Sequence, residues 1–203
     1  ARGENVFVTT ASPNRITDAR LAAAKSQFSF LESIKSPRVA VLIGGTNAVY
    51  QFGEREMIPL SVQLASLARN VPASLLVTPS RRTGEANLVI LQAALHDVPH
   101  YLWDGTGPNP YYAMLTLADS FLVTCDSVNM VSEAASTGKP VHVIDLPGGS
   151  AKFNRFHQAL RDDGVTRPFN GQMERWTYAP LNDMELVAAR VRGLLQERGM
   201  LPP

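Results

Sequence analysis

Polar side chains recur at helical spacing within residues 126–136: Asn129 and Glu133 stand four apart and share one face, bordered by Ser132 and Ser136. Val131 and Ala135 form an apolar stripe on the other side. Ser127, Val128 and Asn129 fall at the start of that helix, where unpaired amides attract an anion such as a phosphate. A carboxylate about a turn and a half further along can accept the hydroxyls of a sugar ring. Glu133 has a second reading, as part of a solvated helix face, and spacing alone leaves both open.

Four other turns carry groups of the same chemical kind. Gly44, Gly45, Thr46 and Asn47 directly follow an apolar run, and two glycines there either admit a ligand close to the backbone or form a plain turn. Ser80, Arg81 and Arg82 end the next apolar run and read as a guanidinium clamp for phosphate or as a solvated basic turn. Trp103 and Asp104 lead into 104–110, the most turn-rich stretch of the chain, either a ligand rim or a connection. Lys152 falls in the first turn of an amphipathic helix, where a base is disfavoured by the helix dipole unless an anion is near. Asn154 and Arg155 share its polar face.

The elements that position these turns follow from apolar patterning. Strands are expected at 6–9, 39–43, 75–78, 99–103, 121–125 and 141–144, the second an unbroken apolar run of the kind buried on both faces. Helices are expected from about Thr17 (Leu21, Ala24, Phe28, Leu31), with Pro59 in a first turn ahead of Leu60, Leu64 and Leu67, at 85–96, and from Tyr111. Others follow Asp126, ending at Gly138 and Pro140, and carry Phe153, Phe156 and Leu160, ending at Gly164. Residues 167–179 read as irregular, with Trp176 on the surface, and Asp183 as the cap of a last helix. Strands alternating with helices predict an α/β fold with a parallel sheet. In such a sheet the five polar or glycine-rich turns at Gly44, Ser80, Asp104, Asp126 and Pro147 leave strands at the same end, where a ligand crevice forms.

Composition excludes several classes. Across 203 residues, 45% hydrophobic, bases and acids balance to a net charge of +1, so nucleic-acid binding has no electrostatic basis. Four scattered His and one Cys offer no metal-ligand spacing and no disulfide framework, and Cys125 ends an apolar run as a buried, inert thiol. No apolar run approaches the length of a membrane span and no signal peptide is evident, so a cytoplasmic location is expected, with peripheral membrane contact left open. The chain starts without Met, which is expected of a processed or partial protein.

The motifs VLIGGTN, TPSRRTG, WDGTGPNPY and CDSVNMVSEAASTGKPV together resemble the mitochondrial-fission (elongated-mitochondria) protein family, over about residues 2–198. The central motif, preceded by YYAMLTLADSFLV, is also similar to the donor-binding lobe of two-lobed (GT-B) glycosyltransferases such as the peptidoglycan N-acetylglucosaminyl transferase. The resemblance implies a Rossmann-like parallel sheet with helices on both faces, equivalent to a GT-B C-terminal lobe. It implies that Glu133 takes the ribose hydroxyls of a nucleotide, that Ser127, Val128 and Asn129 face the diphosphate, and that Gly44, Gly45 and Thr46 lie beneath the phosphates. Trp103 and Asp104 fall near the base, and Lys152 and Asn154 near the sugar or phosphate, although the usual Gln pair is absent. Arg81 and Arg82 have no counterpart in the peptidoglycan enzyme.

The function so implied is metal-independent, cofactor-free transfer of a sugar from a nucleoside-diphosphate donor to an unknown acceptor. Residues 37–203 would be the nucleotide-sugar-binding domain, and 1–36 the tail of a preceding lobe and the crossover from it. That preceding lobe, absent here, would carry the acceptor site and the catalytic base. The alternatives are a non-catalytic adaptor of the mitochondrial-fission type and a nucleotide-sugar epimerase.

Overall fold

Strand β1, Arg38–Ile43, lies at the centre of the molecule because it has no polar side chain beyond its first residue to keep in water. Around it, a computed structural model, which describes residues 3 and 6–202, arranges six parallel strands in the order β3-β2-β1-β4-β5-β6. The others are β2 Ser74–Pro79, β3 His100–Leu102, β4 Ser120–Thr124, β5 Val141–Ile144 and β6 Thr166–Pro168. Val39 faces Leu75 on one side and Ser120 on the other, so β1 is paired along both edges.

Alternate residues of the strands enter two separate cores. Ala40, Leu42, Leu76, Phe121 and Val123 pack with helices α4 Tyr111–Leu117, α5 Val128–Ala135 and α6 Ala151–Asp162. Val39, Val41, Ile43, Leu75, Val77 and Leu122 pack with α2 Glu54–Asn70 and α3 Glu85–Leu95. Both faces are thus covered, as a parallel sheet requires. The expected Rossmann-like sheet is the one found. Helix α1, Asp18–Gln27, starts from a Thr17 cap and packs on α4, and α7, Asp183–Glu197, closes the chain without burying a residue fully.

Four details depart from the expected elements. Residues 6–9 form no strand: Val6, Phe7 and Val8 are half-exposed, and no strand among the described residues supplies ladder bonds to them. Pro59 is not in the first turn of α2 but inside it, because the helix starts earlier, where the Glu56 carboxylate accepts the Gly53 amide at 2.9 Å. Residues 166–168, at the start of the stretch expected to be irregular, pair with β5 as an edge strand. Asn182, not Asp183, occupies the cap of α7, and the Asp183 carboxylate instead accepts the amides of Thr10 and Ala11 at 2.9 and 3.0 Å. Residues 1, 2, 4 and 5 of the expected tail lie outside the described residues.

Candidate functional site

The strand order reverses between β1 and β4, so the chain leaves these neighbours in opposite directions and a crevice opens at their carboxyl ends. The turn after β1 and the turn after β4 are bound to each other there. Gly44 donates its amide to Thr124 Oγ1 at 2.8 Å, and Gly45 donates to Asp126 Oδ2 at 3.0 Å. Arg82 reaches in from the turn after β2, donating to the same Oδ2 at 2.9 Å and to the Gly45 carbonyl at 3.1 Å. A Cβ on Gly44 would lie 2.2 Å from Asp126 Oδ1, and one on Gly45 would lie 2.1 Å from the Arg82 carbonyl oxygen. The physical reason for these glycines is therefore close packing against Asp126 and Arg82, and both amides are engaged within the protein.

The free donors lie one step along, at the start of α5. Ser127 caps the helix, its Oγ accepting the Met130 amide at 3.4 Å, while the amides of Val128 and Asn129 have no hydrogen-bond acceptor among the described residues. They border a hollow of about 180 Å³ shared with Asn47, Arg82, Asp126 and Phe153. Asn47 is held there on both sides: its Oδ1 accepts the Val49 and Tyr50 amides at 2.9 Å, and its Nδ2 donates to the Asp126 carbonyl at 3.3 Å. Asn47, Arg82, Ser127, Val128 and Asn129 are thus brought together.

Glu133 lies further along α5, half-buried, and Oε2 accepts the Tyr111 hydroxyl at 2.5 Å. Burial raises its carboxyl above the ordinary range, and the tyrosine hydrogen bond opposes that rise. The Tyr111 phenol is itself pushed well above its usual value, first by burial and then by the Glu133 charge. In the sequence Tyr111 reads only as the opening of a helix, and Asp126 only as the polar turn ahead of one. The one signal available was their place beside the polar turns.

The other expected residues fall elsewhere along the same sheet edge. Ser80, Arg81, Trp103 and Asp104 line a second hollow, of about 380 Å³, above β2 and β3. Asp104 Oδ1 is taken up inside its own loop by the Thr106 amide and hydroxyl, at 2.9 and 2.7 Å. Asn154 borders a third hollow, of about 330 Å³, with Tyr50, Cys125, Asp145 and His157. Lys152 is exposed and Thr46 is tied to Phe52 through its hydroxyl. The Cys125 thiol is buried and raised to about 11, chiefly by burial, as an inert thiol should be. A further hollow, of about 600 Å³, lies at the opposite end of the strands, bordered by Pro37, Val39, Asp119 and Trp176. Among the described residues no three His, Cys, Asp or Glu side chains lie close enough together to hold a metal ion. No helix among them is long and apolar enough to cross a membrane.

The polar strip of α5 is partly covered by the amino-terminal segment. Ser12 donates its amide to Ser132 Oγ and its hydroxyl to Asn129 Oδ1, each at 3.0 Å, and Asn14 Nδ2 donates to Ser136 Oγ at 3.0 Å. Asn129 therefore presents its backbone amide to the hollow, while its side-chain oxygen serves the amino-terminal strap.

Known proteins resemble this chain at several levels. Among solved structures it is similar to MurG of Acinetobacter baumannii, at 18% identity and a TM-score of 0.48, over 98% of this chain and 51% of that one. It is also similar to the UDP-GlcNAc 2-epimerase of Neisseria meningitidis solved with UDP-GlcNAc bound, at 15% identity and 0.47, over 88% and 41%. In sequence it is 36% identical to the mitochondrial fission protein ELM1 of Arabidopsis thaliana, over 97% of this chain and 47% of that protein. An uncharacterised protein of Rickettsia prowazekii (strain Madrid E) is 32% identical over 77% of this chain and 46% of its own length. The chain spans about half the length of these curated relatives. The profile of the family described as mitochondrial fission ELM1 matches residues 1–195, and the chain, with its Rossmann-like sheet and the turns gathered at that sheet's switch point, belongs to this family.

Proposed function

We propose that this chain is the donor-binding half of a metal-independent, nucleotide-sugar-dependent glycosyltransferase of the two-lobed (GT-B) type. The observation that carries the reading is the arrangement along α5: two unengaged amides open into a hollow at the sheet's switch point, and a half-buried carboxylate follows on the same helix. Val128 and Glu133 are five residues apart, a rise of about 7.5 Å. That span suits a diphosphate at the helix start and the ribose of the same nucleotide at Glu133. The exposed part of the Arg82 guanidinium adds positive charge at the diphosphate, and Trp103 with Asp104 borders the space for the base.

Chemistry would be displacement at the anomeric carbon. The acceptor oxygen forms the new bond, the bond to the diphosphate oxygen breaks, and the departing charge is met by the α5 amides and Arg82. The base that takes the acceptor's proton would come from the other half of a full-length protein, for which residues 1–36 serve as tail and crossover.

A second reading is favoured by family membership itself: a non-catalytic adaptor in mitochondrial division, with the same crevice unused. Titration of the chain with uridine and guanosine diphosphates, followed by thermal unfolding, separates the two. A ligand at 100 times its Kd adds about 2.7 kcal/mol to stability. Stabilisation by one of them supports the transferase reading. No stabilisation by any nucleoside diphosphate, with capture of a defined division protein, replaces it with the adaptor.

A further inference from the structure

Tyr111 is the first residue of α4, and its position is fixed from two directions. Its amide donates to Asn109 Oδ1 at 2.9 Å, and its ring meets the edge of Tyr112 with centroids 5.6 Å apart. From there the phenol reaches α5 and donates to Glu133 Oε2. The other carboxylate oxygen, Oε1, accepts no hydrogen bond among the described residues, and the side chain is only partly buried. A carboxylate with both oxygens free can grip two neighbouring hydroxyls at once, whereas one held in this way offers a single fully free oxygen.

We propose that Tyr111 is the positioning residue of the nucleotide site, holding Glu133 in one orientation so that Oε1 alone is presented and a ribose is recognised through one of its two hydroxyls. The inference rests on the reading of Glu133 as the acceptor for a pentose. It goes further in assigning the orientation of that carboxylate, and hence its selectivity, to a residue on a different helix.

The charged surroundings make the role measurable. Tyr111 is the titratable group that faces Glu133 from α4, and Tyr112 beside it is covered by the Arg20 guanidinium of α1, 5.9 Å from the ring centroid. Burial and the tyrosine hydrogen bond act on the Glu133 carboxyl in opposite senses. Loss of the hydroxyl leaves burial unopposed, so protonation of Glu133 moves to higher pH.

The test is calorimetric binding of uridine and guanosine diphosphates, with their 2′-deoxy and 3′-deoxy counterparts, to the chain and to Tyr111→Phe and Glu133→Gln. In the unmodified chain one deoxy analogue should bind roughly tenfold more weakly and the other within about threefold of the parent, the cost of one lost hydrogen bond to a charged group against none. Tyr111→Phe should level that difference and raise the pH at which binding is half lost. Equal losses with both analogues in the unmodified chain overturn the inference without recourse to any variant. If Glu133→Gln weakens binding while Tyr111→Phe keeps the discrimination and pH midpoint of the parent, the positioning role falls and the pentose reading stands. If Glu133→Gln binds as the parent does, both fall.

Discussion

Arg82 and Asp126 clasp the same glycine turn from opposite ends: Asp126 accepts the Gly45 amide, Arg82 donates to the Gly45 carbonyl, and the two side chains meet at 2.9 Å. The carboxylate is completely buried and the guanidinium 42% exposed. The pair therefore shapes the crevice before any ligand arrives, joining turns that follow β1, β2 and β4.

Removing the cation should leave a buried carboxylate without its charge partner. Arg82→Ala is expected to destabilise the chain by about 1–3 kcal/mol, the lower end reflecting the solvent that already screens the guanidinium. Arg82→Lys should recover only part of this, since one ammonium cannot serve both the carboxylate and the Gly45 carbonyl in the geometry of a planar fork. Urea unfolding of the three proteins measures the order, and equal midpoints for the parent and Arg82→Ala would refute it.

The two glycines should differ in tolerance. A Cβ at position 45 meets backbone atoms of Arg82, at 2.1 Å from its carbonyl oxygen, whereas at position 44 it meets a side chain. Gly45→Ala should cost more than Gly44→Ala, and both should reach at least the ~1–3 kcal/mol of ordinary overpacking. Unfolding midpoints check the ranking, and a silent Gly45→Ala would show that the turn is not packed as described.

Acid should loosen the segment that carries Trp176. His142 Nε2 accepts the Glu174 amide at 3.0 Å, and the Trp176 ring stands edge-on to the imidazole at 4.9 Å. Burial, the largest influence, holds this histidine below its ordinary 6.5, with the Glu174 carboxylate opposing and Arg167 assisting. The unfolded chain then binds a proton at a pH where the folded chain does not, so the histidine's contribution is complete above about 6.5 and lost as the pH falls. Thermal melts from pH 8 to 5, followed by tryptophan fluorescence, should show the transition falling in acid, with a shallower fall in His142→Phe. An identical pH dependence in that variant would remove His142 as the cause.

Asp183 should couple the two ends of the chain. Its carboxylate accepts amides from Thr10 and Ala11, and Ser12 next to them reaches α5. Asp183→Ala is expected to speed amide exchange at residues 10–12 and at the start of α7, with a global loss of only about 1 kcal/mol, because these contacts lie at the surface. Unchanged exchange at 10–12 would mean that the strap is held by α5 alone.

Nearly all of the sheet was legible in the order of the amino acids. Residues 39–43, 75–77 and 121–123 carry unbroken apolar runs because a strand covered on both faces has no side to leave polar, and Gly138 stops a helix with φ of +72°. Residues 166–168 carry no such mark: an edge strand has one neighbour, and Thr-Arg-Pro has no apolar rhythm. Residues 6–8 have β-branched and aromatic side chains but no partner, and a strand exists only where a neighbour completes its hydrogen bonds.

The same division runs through the candidate site. Periodicity along one helix was enough to put Asn129 and Glu133 on a common face and to place the polar turns at one end of the strands. No local pattern could show that Asp126 would hold Gly45, 81 residues away, or that Tyr111 would cross 22 residues to engage Glu133. Nor could it show that Ser12 would cover part of the α5 strip from 117 residues away. Helical and strand preferences are set by neighbours in sequence, within a few residues. Which carboxylate is buried, which oxygen is left free and which amides stay unengaged depend on distant segments meeting, and that is settled only when the sheet assembles.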